Sequence, residues 1–196
     1  MLTFTVAIFF LLITPGPGVL STAGVGSAFG FRSGIRYVTG LCLGTNLVAL
    51  IVISGLATFI FEITWARFAL LILSSGYLTY LAVRIAMAGR NIAFIKAQKH
   101  PDIRSGVLLQ LINPKAYAFN TTLFSGFSIY PQSPVTEIAI KFFVVNLIWI
   151  PIHLLWLYAG TVVHQMNLKP ATQQRINIFM AVSMVIVVAL AFWSIR

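Results

Sequence analysis

The chain is poor in acid. Only three of its 196 residues are Asp or Glu, charged residues of both signs make up 8%, and there are three histidines and one cysteine. Glu62, Asp102 and Glu137 stand far apart, each at the end of an apolar run, so no pair of carboxylates is available for acid–base work inside those runs. Cys42 alone can neither close a disulfide nor build a thiolate metal site. No side chain stands as a nucleophile beside its base. These scarcities argue against an enzyme and against a bound metal or cofactor.

What the chain has instead is hydrophobic sequence, 59% of all residues, with a mean hydropathy of +0.96. That is outside the range of soluble domains. The apolar runs are continuous and span-length, unlike the alternating segments of a membrane barrel. The fold expected is an all-α integral membrane protein, one transmembrane domain over 1–196. The net charge of +10 comes from thirteen Lys and Arg scattered between apolar runs, which reads as topology and not as a nucleic-acid face. Residues 1–13 carry no side-chain charge, so they read as part of a span and not as a signal peptide.

Six transmembrane helices are expected: Leu2–Ala28, Tyr37–Phe61, Phe68–Met87, Val107–Tyr130, Thr136–Val163 and Ile176–Ser194. A basic turn from Gly30 to Arg36 separates the first two, and Ala88–Ser105 is a polar hinge between two halves, about 1–97 and 98–196. The cations fall mainly after spans one, three and five, which places both termini on the non-cytoplasmic side of a bacterial inner membrane. Arg84 is expected to snorkel, and Trp65, Trp149, Trp156 and Trp193 to anchor at interfaces or pack against lipid.

Two spans carry anomalies. Pro15, Gly16, Pro17 and Gly18 interrupt the first at its middle; Asn113, Pro114 and Lys115 interrupt the fourth. Pro114 follows Pro15 by 99 residues, and Asn146 in the fifth span follows Asn46 in the second by 100. Three spans per half is the arithmetic of two inverted three-helix repeats, with the first and fourth helices broken. Helix N-termini exposed at such breaks offer amides to a carboxylate, and freed carbonyls can hold an ammonium group. The candidate substrate-binding residues are therefore Pro15, Gly16, Pro17, Gly18, Asn46, Asn113, Pro114, Lys115 and Asn146, and the candidate substrate is zwitterionic, like an amino acid.

Lys115 is the single charge in its span, so it reads as a ligand for a substrate carboxylate or a gating charge, or else as a lysine snorkelling to the cytoplasmic interface. Asn46 and Asn146 read equally as substrate contacts or as helix–helix ties. His153, near the middle of the fifth span, is a candidate proton carrier, with a structural histidine bonded to a carbonyl freed by Pro151 as the bland alternative. Glu137 and Lys141 stand four apart as a local interfacial pair.

The sequence resembles the lysine exporter and homoserine/threonine resistance exporter superfamily of small bacterial permeases. The resemblance lies in Thr14-Pro15-Gly16-Pro17, Arg32 and Gly34, Gly40 and Gly44, Tyr77-Leu78-Thr79-Tyr80-Leu81, and Gly106 through Asn113-Pro114-Lys115-Ala116. It implies efflux of an amino acid or related small metabolite, coupled to the proton gradient. The chain departs from the family's usual pattern at Gly18, where Asn is common, at Asn46, where an acid is common, and in the Pro-Gln-Phe pattern after the fourth span, kept only in part by Ile129 to Ser133. Membrane lipid is the expected surrounding and a homo-oligomer one arrangement it allows. A passive channel or a non-transporting membrane subunit is the alternative.

Overall fold

A computed structural model describes residues 1–13, 16–57, 62–87, 100–166 and 168–193. Among them are seven α-helices and no strand: α1 (Leu2–Ile13), α2 (Pro17–Ile53), α3 (Thr64–Ala86), α4 (Ile103–Ile112), α5 (Pro114–Ser125), α6 (Pro134–Gln165) and α7 (Pro170–Trp193). Four of these begin on a proline, where the missing N–H costs nothing and the fixed φ suits a helix start. The prolines at 17, 114, 134 and 170 thus act as start signals. Pro151, inside α6, leaves that helix continuous.

The basic turn expected from Gly30 to Arg36 is narrower than its composition suggests. Gly30 alone leaves helical geometry, at φ 75° and ψ 179°, and bends α2 into limbs 17–29 and 31–53. That left-handed value is cheap only without a Cβ, while Arg32 to Arg36 continue as helix. Near the bend, Ser27 Oγ donates to Asn177 Oδ1 at 3.0 Å, and the Ser27 carbonyl accepts from Gln173 Nε2 and from His164 Nδ1 at 2.8 Å. One polar knot therefore ties α2 to α6 and α7.

Among the described residues, three helices are long and apolar enough to cross a membrane: Pro17–Ile53, Phe68–Ala86 and Pro134–Gln165. Large apolar side chains such as Phe10, Leu50, Ile72, Phe143, Leu155 and Phe179 lie exposed. On a soluble protein such a surface aggregates, and in lipid it is the solvated one. The molecule is a helical membrane protein. α1 and α4 are apolar but short; a twelve-residue helix extends only about 18 Å, against about 30 Å of hydrocarbon.

α2 makes the most extensive contacts, chiefly with α6 and α4. Missing side chains create the closest approaches: a Cβ on Gly160 would collide with the Ala23 carbonyl oxygen, and one on Gly40 with that of Ile103. Lipid tails supply no hydrophobic drive between helices, so backbone proximity of this kind is what holds them.

Two charges expected at the surface are buried. Arg84 is 8% exposed and lies over the Phe29 and Tyr80 rings, at 5.5 and 5.6 Å to their centroids, so it stacks instead of snorkelling. Lys141 is 1% exposed; its ammonium pairs with Glu137 Oε1 at 2.7 Å and donates to the Phe124 and Phe127 carbonyls. Glu137 Oε2 accepts from the backbone N–H of Ile129 and of Tyr130. The pair is a staple that fastens the end of α5 to the start of α6.

Gly160→Val should lower the melting temperature of the detergent-solubilised protein, equivalent to at least about 1–3 kcal/mol of overpacking. At the start of α4, Asp102 Oδ1 accepts from the Ser105 N–H and hydroxyl, each at 3.1 Å, and the Ser105 backbone bond holds this carboxyl below its ordinary value. A depressed carboxyl stabilises the fold above its unfolded pKa of about 3.9 and loses that contribution as pH falls through the lower folded value. Asp102→Ala should cost about 1 kcal/mol at neutral pH and flatten the acid limb of a thermal-melt series.

Candidate functional site

The two helix interruptions converge. Gly16, Pro17, Gly18, Asn113 and Lys115 line one cavity of about 50 Å³, with His153 and Trp149 of α6, Thr45 of α2 and Gln110 of α4. By volume it has room for roughly three to five waters. Among the described residues that line it there is no carboxylate, and Lys115 is the one lysine or arginine.

Each interruption is built differently. At the second, one extended residue, Asn113 at φ −84° and ψ 107°, ends α4 and begins α5. Its Oδ1 accepts from the Lys115 backbone N–H at 3.1 Å and its carbonyl from Ala116 N at 2.9 Å, so the first turn of α5 is capped from within. At the first interruption, Gly16 is extended and provides no capping side chain to α2. The opening amides of α2 therefore have no side-chain acceptor from their cap residue, and the positive end of that helix borders the cavity.

Lys115 crosses from one interruption to the other. An ideal Cβ on Gly16 would lie 2.7 Å from Lys115 Nζ and 3.0 Å from its Cδ, so the lysine packs where a side chain at position 16 would be. It reaches across the cavity to the first interruption. On the far wall, His153 is 3% exposed and stacks on Trp149, ring centroids 3.5 Å apart and planes 13° from parallel. His153 Nδ1 lies 2.9 Å from the Trp149 carbonyl oxygen. A carbonyl only accepts, so Nδ1 carries the proton, and Nε2 faces Gly18, 3.2 Å from where a Cβ there would be.

Of the residues singled out in the sequence, Gly16, Pro17, Gly18, Asn113, Lys115 and His153 come together here. Pro114 opens α5 beside the cavity without lining it. Pro15 lies outside the described residues. Asn46 and Asn146 lie elsewhere and bond each other reciprocally, Asn46 Nδ2 to Asn146 Oδ1 at 3.0 Å and Asn146 Nδ2 to Asn46 Oδ1 at 2.8 Å. Their remaining amide protons go to the Cys42 and Phe142 carbonyls one turn back in their own helices. The partner of His153 in its bond is the Trp149 carbonyl one turn back, in the same helix as Pro151.

Three lining residues escape a reading of the sequence. Trp149 reads as an interfacial anchor but is buried against His153. Thr45, beside Asn46, and Gln110 lie in otherwise apolar runs and are bonded to each other across 65 residues, Gln110 Nε2 to Thr45 Oγ1. Gln110 stands one turn before the Asn113 interruption, the one local signal that it serves the site.

A membrane-embedded helical protein with two interrupted helices facing one small cavity that combines apolar and polar side chains has an architecture found in transporters. The family profile described as LysE type translocator matches residues 9–194, and the chain belongs to that family, one of translocators and not of enzymes. It is also 28% identical over 134 residues to the uncharacterized membrane protein PA4757 of Pseudomonas aeruginosa, a match covering 64% of this chain and 62% of that relative's length. No solved structure matches.

Gly16→Ala should displace the Lys115 ammonium without unfolding the chain, because the collision is with the far end of a flexible side chain. Equal melting temperatures for the two proteins, with a faster reaction of Lys115 toward a water-soluble amine reagent in the variant, would show it.

Proposed function

We propose that this protein is a secondary exporter of an amino acid or closely related small metabolite in a bacterial inner membrane, driven by the proton gradient. In this reading six spans form two inverted repeats, with both termini on the non-cytoplasmic side. The observation that carries the proposal is the meeting of the two interruptions at one cavity, with Lys115 of one lying on Gly16 of the other. The Asn46–Asn146 pair agrees with the repeat, since two residues 100 apart, at matching places in the second and fifth spans, bond each other reciprocally.

The chemistry follows from the parts. Lys115 and the uncapped start of α2 offer positive potential to a carboxylate. His153 is the titrating group of the wall; a neutral ring presents Nε2 as an acceptor toward Gly18, and a protonated ring presents a donor. Binding and release of a proton there changes what the cavity holds, which is the minimum a proton-coupled carrier needs. The tie between Asn46 and Asn146 lies away from the cavity and is suited to act as the fulcrum on which the halves rock.

Proteoliposomes loaded with a mixture of amino acids test this. An imposed pH gradient should drive one or more of them against their concentration gradient, and Lys115→Ala should lower the rate at least about tenfold, the loss of one charge-assisted contact. Gradient-independent leakage that never concentrates a solute would instead mark a channel.

A further inference from the structure

The hydrogen bonds around the second interruption have a fixed direction, and that direction can be followed from a group whose proton is not in question. The Lys115 backbone N–H can only donate, so the atom of Asn113 facing it is Oδ1. Asn113 Nδ2 then faces Gln110, and the acceptor there, 3.2 Å away, is Oε1. Gln110 is thereby oriented with Nε2 toward Thr45 Oγ1, to which it donates. The Thr45 oxygen is the acceptor in this bond, which leaves its own proton to be given elsewhere. Thr45 is 4% exposed and lines the cavity.

The opposite wall is fixed in the same way. The Trp149 carbonyl claims the proton on His153 Nδ1, so the neutral ring turns an acceptor toward the cavity at Nε2. The cavity is thus lined by donors from Thr45 and Lys115 and by an acceptor from His153. Among the described residues that line it there is one lysine and no carboxylate.

We infer that the cavity takes a zwitterion in one orientation, its carboxylate on Lys115 and the Thr45 hydroxyl and its ammonium toward His153 Nε2, and that it rejects amino acids with a cationic side chain. Thr45 is a specificity-determining residue, and Gln110 is a positioning residue that aims it. The inference rests on the exporter reading above and adds to it the charge class of the substrate and two residues that read it. A dibasic amino acid would bring a second ammonium within the field of Lys115 in a site without a counter-charge, a penalty of about 100-fold in transport efficiency at an intermediate effective dielectric.

The test is export from proteoliposomes loaded with an equimolar mixture of the twenty amino acids, with the emerging composition read by mass spectrometry. Neutral amino acids should appear, with lysine and arginine at about a hundredth of their rate. Thr45→Val, which keeps the side-chain shape, should raise the KM of the best-exported amino acid about tenfold with a smaller change in maximal rate, and Thr45→Ser should restore it. Inhibition by the deaminated acid of that substrate should weaken in Thr45→Val in parallel, whereas inhibition by its decarboxylated amine should not. Export of lysine or arginine at the rate of neutral amino acids, or an unchanged KM in Thr45→Val, overturns this inference while leaving the exporter reading in place. If the intact protein exports no amino acid at all, the exporter reading fails and takes this inference with it.

Discussion

Inside a bilayer a backbone amide or carbonyl that loses its helical partner has no water to turn to, so a helix can be interrupted only where the chain itself or a ligand satisfies the freed groups. This constraint governs the centre of the molecule. At Asn113 the side chain reaches forward to the Lys115 amide, and the interruption shrinks to one extended residue. Gly16 has no side chain to do the same for α2, whose start borders the cavity. The two interruptions are therefore unequal in kind: one caps its own helix and carries the lysine, and the other receives that lysine at Gly16.

The rest of the structure holds these two points at the same place. Glycines at 40 and 160 bring α2 against α4 and α6 at backbone distance, and the long α2 serves as the common wall on which the shorter pieces are assembled. The Glu137–Lys141 staple secures the far end of α5, and the Ser27 knot secures the bend at Gly30. Polar groups are few in this chain, and those that are buried mostly serve to fix positions. At the cavity, Thr45 keeps a hydroxyl proton and the neutral His153 ring a lone pair, and in the proposed exporter these are the groups that meet the solute.

Much of this was legible in the sequence because it depends on residues with strong local meaning. Proline and glycine in the middle of an apolar run announce an interruption whatever surrounds them, and a lone lysine in such a run needs a reason. The spacing of 99 residues between Pro15 and Pro114 pairs the two interruptions in the sequence, and Gly16 and Lys115 meet at one cavity. What could not be read is what depends on a partner distant in the chain. Asn46 and Asn146 matched in position, but spacing cannot tell a pair that bonds a substrate from a pair that bonds itself. Thr45 is an ordinary residue of a membrane helix until Gln110, 65 residues on, orients it. Trp149 and Arg84 have amphipathic side chains whose usual place is the interface, and only the packing against His153 and Phe29 reverses that expectation. The bend at Gly30 was over-read, because two arginines and a serine have loop-like polarity while remaining compatible with helix.

In the exporter proposed above one arrangement is central: the cavity between the two interrupted helices opens to each side of the membrane in turn around the same residues. Ala116 lines the cavity next to Lys115 without a polar role, so a cysteine there, in a Cys42→Ser background, reports access directly. Labelling of Ala116→Cys by a membrane-impermeant thiol reagent is predicted from either side of the membrane, slowed by the exported amino acid in both directions. Labelling from one side only, in a variant that still exports, would contradict a single site reached in alternation.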